Sequence, residues 1–200
     1  MKQKIIKKTI SIILLTFLLS IAHSMSEENP LKIGSKDAKV TIKVFSSLTC
    51  PHCANFHKNI YKNLKKDYID TNKIKFEHHS FPLDLAALNA EKILRCFDST
   101  DKSFQFLSEV YSKQDNWAVG SDIIKINDSI KKIGNSFDLS EDKMNQCLIN
   151  EKVQDQILNE RIDAQKKYKI SSTPTIYINE KKYEGSHEYK KFKKKLDKFL

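Results

Sequence analysis

The 200-residue chain carries 35 lysines and arginines against 25 aspartates and glutamates, a formal charge of +10. The excess is lysine, because Arg95 and Arg161 are the only arginines. Without clustered arginine forks or aromatic platforms, the basic balance reads as a solvated lysine surface and not as a nucleic-acid-binding one. With so few glycines and prolines, no low-complexity linker, internal repeat or disordered tail is read after residue 35.

Met1 to Lys8 holds lysines and no acid, Ile10 to Ile21 is almost wholly apolar, and Ala22-His23-Ser24 offers small residues where a signal peptidase cuts. Residues 1–24 are therefore expected to be a cleaved export signal, which places the protein in the periplasm. The apolar core falls short of the roughly 20 residues that span a bilayer as a helix, so a retained anchor is the competing reading. What remains has the size of one domain, or of one domain with an insertion.

Residues 25–35 read as a polar lead-in. Val40 to Phe45, rich in β-branched residues, predicts a buried strand. It leads to Cys50-Pro51-His52-Cys53 and then to an amphipathic segment, in the order strand, turn, dithiol, helix. At a helix start the first sulfur faces unpaired N–H groups and the positive dipole end, which favours a Cys50 thiolate. Each unit by which a thiol pKa falls below about 8.5 is worth about 1.4 kcal/mol of thiolate stabilisation, and a stabilised reduced form makes the disulfide a stronger oxidant. His52 adds a donor between the sulfurs, and Pro51 suits the first helical turn. Zinc is the competing use of such a pair, with His57, His78 and His79 as candidate ligands. Closed zinc sites usually bring a second C-x-x-C or a spaced histidine pair, and the sequence has no second C-x-x-C.

Beyond the dithiol, Cys53, Phe56, Ile60 and Leu64 recur at spacings of three and four, a helix with one core face. Cys53 is thus expected to be a shielded resolving thiol, and Cys50 to stay exposed to attack. Lys73 to Phe81 predicts a second strand parallel to the first, closing a βαβ unit, with His78 and His79 on opposite faces. Ala86 to Phe97, Ser103 to Lys113, Ser121 to Gly134, Ser140 to Asn150 and Glu151 to Tyr168 show helical spacing with caps between them. Residues 85–168 therefore read as a helical subdomain inserted into an α/β core formed by residues 36–84 and 169–200. Trp117 lies between two of these helices, packed on the core or beside the active site.

Cys96 and Cys147 fall within the helical block. In a cytosolic protein they would be buried free thiols; in an exported one a second disulfide is favoured. After the block, Ser172-Thr173-Pro174 precedes the strand Thr175 to Ile178 and a short hairpin. A cis bond before Pro174 would turn the Thr173 backbone toward an extended substrate chain. Glu188 to Leu200 predicts a closing helix with Tyr189, Phe192, Leu196 and Phe199 on one face.

Over residues 36–200 the chain resembles the exported DsbA-type thiol:disulfide oxidoreductases of thioredoxin fold, in their alphaproteobacterial-like branch. The resemblance rests on Cys50-Pro51-His52-Cys53-Ala54-Asn55-Phe56-His57, Tyr68-Ile69-Asp70-Thr71, Phe81-Pro82-Leu83-Asp84, Cys96 with Cys147, and Ser172-Thr173-Pro174-Thr175. It implies a thioredoxin fold with an inserted all-helical subdomain and disulfide donation to exported proteins with free thiols through a mixed disulfide at Cys50. It further implies substrate contacts at Thr173 and a cis Pro174, a non-catalytic Cys96–Cys147 disulfide, no cofactor or metal, and reoxidation by a membrane quinone-coupled partner of the DsbB kind. Relatives often carry a buried acid where this chain has Val44, and Thr173 resembles the residue found in isomerases. A disulfide isomerase or reductase of the same fold is the alternative, and an exported metal-binding or chaperone-like module is the non-enzymatic one. Only a short stretch separates the expected cleavage site from Cys50, too little for the dimerisation module of such isomerases, so a monomeric oxidase is expected.

Overall fold

In the computed structural model, which describes residues 30–200, five strands form one mixed sheet in the order β1-β3-β2-β4-β5. They are β1 (Leu31–Gly34), β2 (Val40–Ser46), β3 (Ile74–Ser80), β4 (Thr175–Ile178) and β5 (Lys181–Lys182). The segment read as an export signal lies outside the described residues. β2 and β3 run parallel in the register Val40↔Ile74 to Ser46↔Ser80, as a crossover helix between them requires. β4 pairs antiparallel with the other side of β2, setting Val44 against Ile176. Both long strands are covered on both faces over their C-terminal halves, β2 by Val44 and Phe45 and β3 by the polar Glu77, His78 and His79.

The stretch read as a lead-in contributes β1, an edge strand antiparallel to β3. It is only four residues long and alternates half-buried with exposed positions, so it carries little hydrophobic signal. Gly34 ends it at φ +98°, where a Cβ would run into the Ile74 carbonyl oxygen.

The helix after the dithiol, α1, runs continuously over residues 51–69 with Cys53, Phe56, Ile60 and Leu64 fully buried along one face. It is not regular. Pro51–Phe56 and Lys62–Leu64 are α-helical, whereas His57–Tyr61 and Lys65–Ile69 are wider π-type turns. Lys62 N–H donates to the His57 carbonyl, and Asp70 N–H to that of Lys65, each five residues back. The closing helix α8 (Tyr189–Leu196) docks on α1 through Phe192 and Leu196, both fully buried. Tyr189 Oη donates to Asp67 at 2.5 Å, and Tyr68 to Asp197.

Between β3 and β4 lie α2 (Leu85–Leu94), α3 (Thr100–Ser112), the short α4 (Gln114–Trp117), α5 (Ile123–Asn135), α6 (Glu141–Leu148) and α7 (Glu151–Tyr168). Asp84, Ser99, Asp122, Ser140 and Asn150 cap five of them, each side chain accepting from backbone N–H groups of the first turn. α4 occupies the stretch read as a link, and Trp117 is buried there with Nε1–H donating to the Val110 carbonyl at 2.8 Å. Cys96, just past α2, is joined to Cys147 of α6 in a disulfide with Cα atoms 6.3 Å apart. No helix among the described residues is long and apolar enough to cross a membrane.

Candidate active site

The dithiol stands where β2 turns into α1. Cys50 is the residue before the first helical position, in extended conformation at φ −80° and ψ 119°, and Pro51 opens the helix, where a missing N–H costs nothing. The Cys50 carbonyl accepts from Cys53 N–H at 3.0 Å and Ala54 N–H at 3.1 Å, and Cys50 N–H donates to Ser47 at 3.1 Å. The helical block fixes this turn from outside. Gln114 Nε2, buried at the start of α4, donates to the carbonyls of Leu48 at 2.7 Å and Cys50 at 3.2 Å. Thr49 Oγ1 donates to Asp84 Oδ2 at 2.7 Å, and Leu83 N–H donates to Ser47 Oγ at 3.2 Å.

Cys50 and Cys53 are both free thiols, and the Cys50 thiol points at the Thr173 carbonyl, 3.3 Å away, on the loop before β4. The Thr173–Pro174 peptide is cis. Residues far apart in the chain thus meet at the sulfurs. Cys53 is fully covered and Cys50 retains 7% of its surface, so Cys50 is much less open than its place in the turn suggested. Thr173 leans over it and Gln114 draws its carbonyl inward.

The two thiols differ in acidity. Donation from the Cys53 thiol pulls the Cys50 pKa down to about 5 against the opposing effect of burial, with further help from the Thr173 side chain and the backbone N–H groups of Cys53 and His52. Burial, reinforced by the neighbouring Cys50, pushes Cys53 well above the ordinary thiol range. Thr173 Oγ1 is buried beside the sulfurs with no other hydrogen-bond partner among the described residues, which leaves its O–H to the thiolate it helps to stabilise. His52 acts through its main chain, and its side chain is exposed. His187, from the loop before α8, sits against the Phe56 ring at 6.3 Å, and burial together with His52 lowers its pKa.

A folded pKa of about 5 for Cys50 lies below its unfolded value. The stabilisation of the reduced protein is therefore complete above the unfolded pKa of about 8.5 and is lost as pH falls through about 5. Thiolate absorbance at 240 nm in the reduced protein is expected to titrate with its first midpoint near pH 5. The Cys53→Ala protein, deprived of the main donor, is expected to titrate at higher pH. Gln114→Ala leaves two buried carbonyls without their side-chain donor and is expected to cost about 1–3 kcal/mol in urea unfolding.

Behind the dithiol lies a buried polar network. His78 Nε2 pairs with Glu91 Oε1 at 2.8 Å and its Nδ1 with Ser46 Oγ at 3.2 Å. Glu91 Oε2 accepts from Ser80 Oγ at 2.9 Å, and Arg95 Nη2 donates to Ser80 Oγ at 2.9 Å and to Glu160 Oε2 at 2.8 Å. His79 faces the other side of the sheet, beside Glu77 at 3.2 Å and the Phe45 ring. His57 stacks on Tyr111 with ring centroids 4.1 Å apart. The three histidines weighed as zinc ligands thus lie in different surroundings, and among the described residues no three His, Cys, Asp or Glu side chains converge on one point.

Sequence reasoning missed Gln114, His187 and the network around Glu91. Gln114 sits in the polar run Lys113-Gln114-Asp115-Asn116, which carries no sign of burial. The signal for His57 was present, because it falls four residues after Cys53, on or beside the core-facing stripe of α1.

A profile of the thioredoxin family matches residues 26–198. Wolbachia pipientis alpha-DsbA1, a solved structure, superposes with a TM-score of 0.80 at 30% identity, over 86% of this chain and 90% of its own. Bacillus subtilis disulfide bond formation protein D is 27% identical over 177 residues, 84% of this chain and 76% of that protein. A Rickettsia bellii protein, provisionally named a protein-disulfide oxidoreductase, is 29% identical over 153 residues, 76% of this chain and 58% of its own length. The chain therefore spans little more than half the length of the Rickettsia relatives it matches.

Proposed function

Since the chain belongs to the thioredoxin family, and within it to the DsbA-type proteins, we propose that it is a thiol:disulfide oxidoreductase that passes a Cys50–Cys53 disulfide to exported proteins with free thiols. The observation that carries this reading is the free Cys50–Cys53 dithiol at the start of α1 under the cis Thr173–Pro174 loop, a setting that pulls the Cys50 pKa down to about 5 while burial pushes Cys53 up. A substrate thiolate attacks the Cys50 sulfur, the bond between Cys50 and Cys53 breaks, and Cys53 departs and takes up a proton. A second substrate thiolate then attacks its own partner sulfur in the mixed disulfide, and Cys50 leaves as a thiolate. Two electrons pass from the substrate dithiol to the enzyme. The second departure is the easier for being that of a low-pKa thiol, so the exchange runs toward oxidised substrate.

Thr173, whose carbonyl already faces Cys50, is the group to hold the substrate backbone beside the sulfur. A membrane quinone-coupled protein of the DsbB kind would restore the disulfide, and the periplasm is the compartment in which the cycle makes sense. The protein would work as a monomer, without cofactor or metal.

Equilibration of the dithiol with glutathione buffers tests the direction, with Cys96 and Cys147 followed separately by mass spectrometry. A potential well above thioredoxin's value of about −270 mV is expected. A potential near that value would make the protein a reductase. Gel filtration is expected to show a monomer, and a stable dimer would favour an isomerase.

A further inference from the structure

The lysine excess of this chain is not spread evenly over it. Six of the eight excess positive charges in residues 30–200 fall in residues 51–70 and 188–200, where ten lysines meet four acids. These segments hold α1 and α8, which pack on each other. The inward face of α8 is formed by Tyr189, Phe192, Lys193 and Leu196: Phe192 and Leu196 are fully buried, and Tyr189 and Lys193 reach Asp67 and Tyr68 of α1. The outward face, half a turn away, is Lys190, Lys191, Lys194 and Lys195, all exposed. Lys198 and Leu200, both exposed, follow.

The four acids of these segments are all engaged within them. Asp67 accepts from Tyr189 at 2.5 Å, Asp70 pairs with Lys65 at 2.5 Å, Glu188 with Lys191 at 3.0 Å, and Asp197 with Lys193 at 3.4 Å. Among the described residues this leaves Lys190, Lys194 and Lys195 of α8 without a carboxylate partner, and likewise the exposed Lys58, Lys62 and Lys66, which follow one another at four-residue spacing along α1. Tyr189 sets α8 against Asn63 and Asp67, the sequence neighbours of Lys62 and Lys66, so the two rows adjoin. Lys181 of β5 stands over the Phe199 ring at 5.9 Å and carries positive charge past the end of α8. Like charges at four-residue spacing oppose helix formation, a cost that an external anionic partner reverses.

We propose that this face is an adsorption surface for anionic phospholipid bilayers. A lysine ammonium is a point charge on a flexible stem, suited to a fluid array of headgroup phosphates with no fixed geometry. A nucleic acid or a folded acidic partner is held by arginine forks and stacked aromatics, and the outward face of α8 carries neither. Leu200, 53% exposed two residues after Lys198, offers an apolar side chain to the headgroup region. The apolar side of α8 is already spent on docking, so the helix lies on the bilayer through its charges and does not insert. The assignment is independent of the exchange reading above.

The test is sedimentation of the protein with vesicles of phosphatidylcholine, alone or with about one-third phosphatidylglycerol. Partition onto the anionic vesicles is expected to exceed that onto the neutral ones by roughly tenfold or more in about 0.05 M salt, and to vanish at about 0.5 M. Lys190→Gln, Lys194→Gln and Lys195→Gln combined are expected to weaken it roughly a hundredfold, since each lysine near such a surface is worth several-fold. Lys58→Gln, Lys62→Gln and Lys66→Gln combined, on the other helix, should repeat the loss. Lys132→Gln, Lys152→Gln and Lys166→Gln combined, exposed on α5 and α7, change the net charge equally and are expected to weaken binding by less than about threefold. Equal weakening by the α8 set and this last set, binding to neutral vesicles as strong as to anionic ones, or no binding at all would overturn the proposal. Displacement by inorganic phosphate beyond that by sodium chloride of equal ionic strength would point to a soluble anion instead. Loss by the α8 set of binding to double-stranded DNA but not to vesicles would point to nucleic acid, and either result overturns the assignment.

Discussion

With Cys50 replaced by alanine, no disulfide should reach a reduced test protein, and the loss should be complete rather than partial. Cys50 carries both the partly accessible sulfur and the low pKa, and nothing near it can stand in, because Cys53 is sealed and its thiol is pushed up. Cys53→Ala should fail differently. It keeps a nucleophile that reacts with iodoacetamide, but after forming one mixed disulfide it has no second sulfur with which to release it. Mass spectrometry of Cys53→Ala incubated with a disulfide-bearing peptide should show the adduct accumulating, whereas Cys50→Ala should show none. An adduct on Cys53 in the Cys50→Ala protein would contradict the assignment of roles.

The largest loss of stability is expected at the pair formed by Arg95 and Glu160, which ties the end of α2 to α7 under the sheet. The side chains are 13% and 5% exposed and meet at 2.8 Å. Burial pushes the Glu160 carboxyl up even with the guanidinium beside it, so desolvation outweighs the attraction. The pair therefore adds little net stability, but removing either half takes from the other's buried charge its nearest opposite charge. Arg95→Ala and Glu160→Ala are each expected to cost about 3–5 kcal/mol, while the double replacement by Met and Leu should recover most of it. Urea unfolding of the three proteins, read as a double-mutant cycle, checks this. Additive losses would mean that the two side chains are not coupled.

The parts of this molecule that could be read from its sequence are those whose cause is local. Cys50 and Cys53 are brought together by three residues of spacing and one helix start, and the buried faces of β2, β3 and α1 repeat along the chain with their own periods. The unreadable parts have their cause elsewhere in the sequence. Gln114 looks like surface until Leu48 and Cys50 are set beside it, more than sixty residues earlier. Glu91 and Arg95 look like the polar side of a helix until Ser80, His78 and Glu160 cover them. β1 escaped notice for a different reason: four residues on a sheet edge bury too little to show a pattern. The reach of Thr173 over Cys50 was legible as a possibility in Thr173-Pro174, but the extent to which it closes off the sulfur was not.

The position of β4 has a consequence for how the molecule is made. β2 is central, and one of its two neighbours, β4, follows only after the whole helical block. As the chain emerges from the ribosome, β2, α1 and β3 can meet early, through contacts close in sequence, while one edge of β2 stays unpaired until the last quarter of the chain appears. Contacts of such long range are made late. The loop bearing Thr173 arrives with β4, so the nascent protein holds its cysteines before it holds the site. The Thr173 contact over Cys50 is added only at completion, and a chain cut short before Thr173 would carry the motif without the loop that faces its sulfur.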